Sequence, residues 1–206
     1  MFINLILKHP MMWQLSQIVF GSNKQKQKLY SALIKEEGKL LDFGCANGNT
    51  FPAFTRFDYT GLDIDCKAID YASKKYSQYS NVKFICSDIL EDKLPAKSFD
   101  VILFAATGHH LPNELLFKIT ESLSRLLKKG GSLYLFDPIK DKSRNSKLLN
   151  YLISLDQGKF HKDEKFYNDN LKNFSKDLKP IYHKKFIIKD AYFPQPTCYI
   201  AKLTKV

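Results

Sequence analysis

Residues 39–50 read KLLDFGCANGNT, and the change of character halfway along this stretch decides the fold. Leu40, Leu41 and Phe43 make a short apolar strand with Asp42 near its carboxyl end. Gly44-Cys45-Ala46-Asn47-Gly48 then forms a turn of small residues. In an open α/β sheet, ligands bind outside the carboxyl ends of the strands. A small-residue turn there lets a ligand lie against bare backbone, and a following helix presents free N–H groups. The format repeats 21 residues after Asp42, where TGLDID is a strand ending in Asp63. An acidic residue about 20 positions beyond such a turn is placed to accept hydrogen bonds from ribose hydroxyls. Together the two signals predict a nucleoside cofactor.

Working outward, residues 10–20 and the segment opened by the capping box Ser22-Asn23-Lys24-Gln25 predict two helices ahead of the first strand. A helix is expected from about Gly48, a second strand over 59–64, and a helix capped by Asp65. Strands follow over 83–86 and 99–105. Pro112 opens the most regular helix, where Leu115, Leu116, Ile119, Leu123, Leu126 and Leu127 keep a 3.6-residue period up to Gly130-Gly131. A fifth strand covers 132–136, helices 148–156 and 166–174, and strands 185–191 and 198–203. Strand–helix alternation ending in a hairpin predicts an α/β three-layer sandwich, with a mostly parallel seven-stranded sheet and one antiparallel edge strand. One domain is expected over 1–206: a helical cap (1–38), a cofactor-binding core (39–137), then a helical insertion and hairpin (138–206).

The dinucleotide fingerprint wants Gly where this turn has Ala46 and Asn49. The pattern Asp-x-Gly-x-(Gly/Ala)-x-Gly, from Asp42 to Gly48, instead resembles motif I of the class I S-adenosylmethionine-dependent methyltransferases, with Ala46 at the middle glycine position. SFDVILFAATGHHL resembles that family's fourth strand and following loop, and LKKGGSLYLFDP its fifth strand. The resemblance implies the Rossmann-like methyltransferase fold and S-adenosyl-L-methionine as methyl donor. It assigns Asp42, Gly44 and Gly48 to the methionine end, Cys45 and Ala46 of the same turn to the cofactor, Asp63 and Ile64 to the ribose and adenine face, and Ser87, Asp88 and Ile89 to the adenine. Ala105 would offer its carbonyl to the amino group. For the acceptor side, His110 is expected to orient or deprotonate the nucleophile, with Asp137 and then His161 as competing candidates.

The net charge of +11 lies at the ends: residues 41–137 are nearly neutral, and residues 138–206 hold a surplus of eight basic side chains. Such a field attracts an anionic small-molecule substrate, although a lysine-rich composition also arises without function. No basic-aromatic nucleic-acid motif appears, no apolar run is long enough to span a membrane, and no ligand cluster predicts a metal. Cys45, Cys66, Cys86 and Cys198 lie singly, which predicts free thiols and a cytoplasmic protein. The expected function is methyl transfer to a small molecule, a hydroxyl of a carbohydrate, lipid-linked or natural-product intermediate. Two alternatives stand beside it: a non-catalytic cofactor-binding module that works through a protein partner, and a nucleic-acid methyltransferase. The latter is opposed by Ala105-Ala106-Thr107-Gly108 where such enzymes carry an Asn/Asp-Pro-Pro-Tyr/Phe motif. The oligomeric state is not legible.

Overall fold

A computed structural model describes residues 22–91, 93–141, 160–187 and 197–206. The helices expected over 10–20 and 148–156 lie outside them. Ser22–Leu33 is α1 and the motif strand Lys39–Phe43 is β1. Asp58–Asp63 (β2), Cys66–Lys75 (α2), Val82–Cys86 (β3), Phe99–Ala105 (β4), Asn113–Leu126 (α3) and Leu127–Pro138 (β5) complete the alternating part. Glu164–Asn170 (α4), Leu178–Ile187 (β6) and Thr197–Lys205 (β7) follow.

The strands form one seven-stranded sheet in the order β3-β2-β1-β4-β5-β7-β6. The first five are mutually parallel. β7 runs antiparallel to both β5 and β6 and so builds the antiparallel margin, with β6 outermost. Alternate residues of each central strand serve opposite faces. Leu41, Ile102 and Phe104 pack with Leu116, Ile119 and Leu123 of α3, while Leu40, Val101 and Leu103 pack with Tyr30 of α1 and with Ile34 just beyond it. Both faces are covered, which is why the parallel strands read as unbroken apolar runs. Chain reversals of the order leave the carboxyl ends of β1 and β4 side by side, and the site opens there.

Three expectations change. In place of an α-helix from Gly48 there is one 3₁₀ turn, Phe51–Ala53. The turn closes at once, with the Phe54 N–H donating back to the Phe51 carbonyl at 2.7 Å, and Phe51, Phe54 and Phe57 are all fully buried. The strand expected over 185–191 begins earlier, at Leu178; Pro180 is tolerated because β6 is an edge, and the pairing register shifts beside it. Cys66 and Cys86 are not free thiols: they form a disulfide, with Cα atoms 5.0 Å apart. The pairing of Asp63 with Cys86 across β2 and β3 sets the last residue of β3 beside the first turn of α2, a proximity that lies outside the sequence spacing. Cys45 and Cys198 are free and buried.

Candidate active site

The turn after β1 is held by its own strand partners. The N–H groups of Gly44 and Cys45 both donate to the Leu62 carbonyl of β2, at 2.8 and 3.2 Å. Gly44 has φ +75°, and a Cβ on it would collide with the Thr107 side chain from the loop after β4. Gly48 has φ +68°, and a Cβ there would lie 2.9 Å from the Phe84 ring. These glycines therefore let the turn fold against its neighbours as well as stay low. Cys45 is buried beneath the turn, and Ala46, at φ +44°, is exposed on top of it.

Asp63 ends β2 at the lip of the turn. Its Oδ2 accepts from the Ala46 N–H at 2.8 Å and its Oδ1 from the Asp65 N–H at 2.9 Å. The carboxylate stays half-exposed, and next to it Ile64 is 71% exposed. An isoleucine left in water beside a fixed carboxylate fits a flat apolar ring with hydroxyls at its edge. Asp88, after β3, is half-buried and accepts from the Leu90 N–H at 2.9 Å. Ser87 joins the two acid loops through its N–H, which donates to the Asp63 carbonyl at 3.0 Å. Ile89 turns into the core, and Leu90 is the exposed apolar residue on that side. Ala105 closes β4, its carbonyl accepting from the Thr107 hydroxyl at 3.0 Å.

Asp42 sits underneath, almost wholly buried. Thr50 donates its hydroxyl to Asp42 Oδ2, and Tyr59 donates to the same oxygen at 2.5 Å. Burial pushes the Asp42 carboxyl up to about 6, against the opposing pull of those hydroxyls.

The β4 and β5 side is built differently. His109 and His110 form a short 3₁₀ turn after β4, with His109 buried and His110 exposed. His109 hydrogen-bonds through Nδ1 to Asp137 Oδ1 at 2.9 Å. Asp137, fully buried at the end of β5, accepts on its other oxygen from the Tyr167 hydroxyl of α4 at 2.7 Å. Burial, reinforced by the neighbouring Asp137 charge, holds that phenol well above its ordinary range. His161 stacks on His109 with ring centroids 4.8 Å apart, and His110 stands 4.1 Å from it. All three sequence candidates, His110, Asp137 and His161, therefore converge on one residue that was not singled out, His109. The doublet His109-His110 was the visible signal; Tyr167 left none. Among the described residues no group of three or more His, Cys, Asp or Glu is arranged to hold a metal ion. No helix among them is long and apolar enough to cross a membrane.

Ala106, at φ +51° in the left-handed region, makes the sharp exit from β4 and is pinned by its N–H to the Phe136 carbonyl at 2.7 Å. A non-glycine residue held there is a local strain of the kind found beside functional sites.

Residues 40–131 match the family model of a methyltransferase domain. The chain is 28% identical over 143 residues to the carboxy-S-adenosyl-L-methionine synthase of Helicobacter pylori (strain HPAG1), a match covering 65% of this chain and 59% of that protein. It is 34% identical over 107 residues to the 27-O-demethylrifamycin SV methyltransferase of Amycolatopsis mediterranei, covering 48% of this chain and 38% of the relative. The chain thus spans less than two thirds of the curated relatives it matches. A solved S-adenosylmethionine-dependent methyltransferase from Methanosarcina mazei superposes with a TM-score of 0.70 at 18% identity, over 86% of this chain and 97% of that one. The motif strand, the turn and the strand order are thus those expected of the methyltransferase domain that residues 40–131 match.

Proposed function

We propose that the protein transfers the methyl group of S-adenosyl-L-methionine to a small-molecule acceptor, a hydroxyl of a carbohydrate, lipid-linked or natural-product intermediate. The observation that carries the cofactor half is Asp63, fixed by two N–H groups at the end of β2 beside exposed Ile64. In this reading Asp63 takes the ribose hydroxyls, Ile64 covers one adenine face, and Ser87 with Asp88 bounds its polar edge. Gly44, Ala46 and Gly48 keep the turn low, while Asp42 favours the cationic end. When bound, the cofactor supplies an activated methyl group on a positively charged sulfur. The protein is left to position the acceptor and to take its proton.

His109 is the residue we assign to that second task. Donation from Nδ1 to Asp137 makes Nε2 the basic nitrogen, and Tyr167 holds Asp137 in turn. His110, exposed on the same turn, lines the acceptor side. The basic surplus in residues 138–206 suits an anionic acceptor.

Calorimetry with S-adenosylmethionine, S-adenosylhomocysteine and NAD tests the cofactor, and only the first two are expected to bind. Turnover on hydroxylated acceptors and cell extract is then read as a product one methylene heavier plus S-adenosylhomocysteine. Binding of the cofactor without any product would favour a non-catalytic module. The Helicobacter relative is named for making a carboxylated form of the same cofactor, so a carboxylated cofactor as sole product would replace the methyl-transfer reading.

A further inference from the structure

The loop that carries His109 is crossed by residues 160–162, which arrive just before α4. The Phe160 N–H donates to the His109 carbonyl at 2.9 Å, and the Lys140 N–H donates to the Lys162 carbonyl at 2.8 Å. Between these backbone ties, the Lys162 side chain runs inward and is almost completely buried. Its Nζ donates to the Gly108 carbonyl at 3.4 Å and to the Leu111 carbonyl, the two ends of the histidine turn. The rings of Phe160 and Phe166 flank it, with centroids 5.6 and 5.8 Å from Nζ. A buried lysine is costly unless its charge is matched. Here three kinds of partner meet it: two carbonyls, two aromatic rings and the field of Asp137. Burial pulls its ammonium below the usual range and Asp137 opposes that pull.

We propose that Lys162 is the positioning residue of the acceptor side: its ammonium latches the ends of the histidine turn and offsets the buried charge of Asp137, so that His109 is held in place as a neutral base. This rests on the assignment of His109 in the proposed function. Asp137 on its own would favour an imidazolium, which cannot accept a proton. A second cation beneath the same turn disfavours it. Among the described residues, the titratable and charged groups around His109 include Asp137 on β5, Tyr167 on α4, His110 on its own turn, and His161 and Lys162 on the crossing segment, with Lys140 acting on Lys162. Lys162 is the member of this set that ties position and charge together.

The test follows the imidazole and needs no acceptor. Protein carrying carbon-13-labelled histidine is titrated by NMR as wild type, Lys162→Met and Lys162→Arg, and His109→Gln identifies the His109 signal among the five histidines. The His109 midpoint is expected to rise by about one pH unit in Lys162→Met and to stay within about 0.3 unit in Lys162→Arg. Cofactor affinity should change less than about twofold in both. Lys162→Gln carries the same expectation as Met, keeping a donor for the loop while removing the charge, and serves if Met does not fold. A midpoint that stays fixed or falls in the neutral variants overturns the proposal, as does an Arg midpoint that moves with theirs. Full turnover in His109→Gln would overturn the reading beneath it; a fixed midpoint with an inactive His109→Gln removes the role of Lys162 alone.

Discussion

Along one half of the sheet's carboxyl edge, the carboxylates proposed for the cofactor are held by their own neighbourhood. Asp63 and Asp88 each accept from an N–H two positions on, and the longest tie, from Ala46, spans 17 residues. On the other half, His109 reaches Asp137 across 28 residues, Tyr167 reaches Asp137 across 30, and Lys162 reaches Leu111 across 51. The half we assign to the cofactor is open, with exposed Ile64 and half-exposed Asp63 and Asp88; the half we assign to the acceptor is buried and charged. A cofactor common to many enzymes needs a local, backbone-built grip, whereas an acceptor base must be assembled from distant segments and shielded from water. The two halves should accordingly fail in different ways when altered.

The largest effect is expected on the buried half. His109→Gln should lower kcat by about 10²–10⁴-fold with S-adenosylmethionine affinity within about a factor of two, read by steady-state kinetics beside calorimetry. Loss confined to cofactor affinity would erase the contrast between the halves.

Next comes Asp42, a buried acid on the open half. Its carboxyl titrates near 6 in the folded chain against an ordinary 3.8. A raised acid binds its proton more tightly when folded, so its stabilising contribution is present at low pH and is lost as pH climbs from 3.8 to about 6, then stays lost. The span is worth about 3 kcal/mol, and denaturant midpoints of Asp42→Asn should show a correspondingly flatter pH dependence there. Affinity for the cationic cofactor should rise over the same window, because binding favours the ionised form. An affinity that is flat between pH 4 and about 7 would detach Asp42 from the cofactor.

Asp63→Ala should weaken cofactor binding by about 2–3 kcal/mol, since it removes the acceptor for ribose hydroxyls and frees the Ala46 and Asp65 N–H groups. kcat at saturating cofactor should hold; a fall in kcat with affinity intact would place Asp63 in the wrong half. Smallest is Tyr167→Phe, which takes one of two donors from Asp137 and should cost about 1.5 kcal/mol of stability by denaturant titration, with a modest drop in kcat and no change in cofactor affinity. A stability equal to wild type would mean that the Asp137 oxygen finds another partner.

The same contrast explains what could be read from residue order. Asp42, the glycine turn, Asp63 and Asp88 sit at the ends of successive strands, so the alternating apolar pattern locates them once the strands are found. Parallel pairing and the antiparallel β7 follow from the same pattern. The dyad of His109 and Asp137 needed the register between β4 and β5, and Tyr167 and Lys162 needed the return of α4 across that edge, neither of which leaves a periodic trace. The 3₁₀ turn of Phe51–Ala53 escaped for a related reason: Phe51, in the turn, and Phe54 and Phe57, beyond it, recur at a spacing that an α-helix also allows.

The bridge between Cys66 and Cys86 has a consequence for the connectivity of the molecule. It closes a covalent ring around α2 and β3, and Asp63 and Asp88 stand immediately outside its two ends. Lys67, Lys74, Lys75 and Lys83 are exposed within that ring. A protease that cuts at any one of them opens the chain without releasing either end, so the loops that carry Asp63 and Asp88 stay tethered to each other through sulfur after the peptide connection between them is gone.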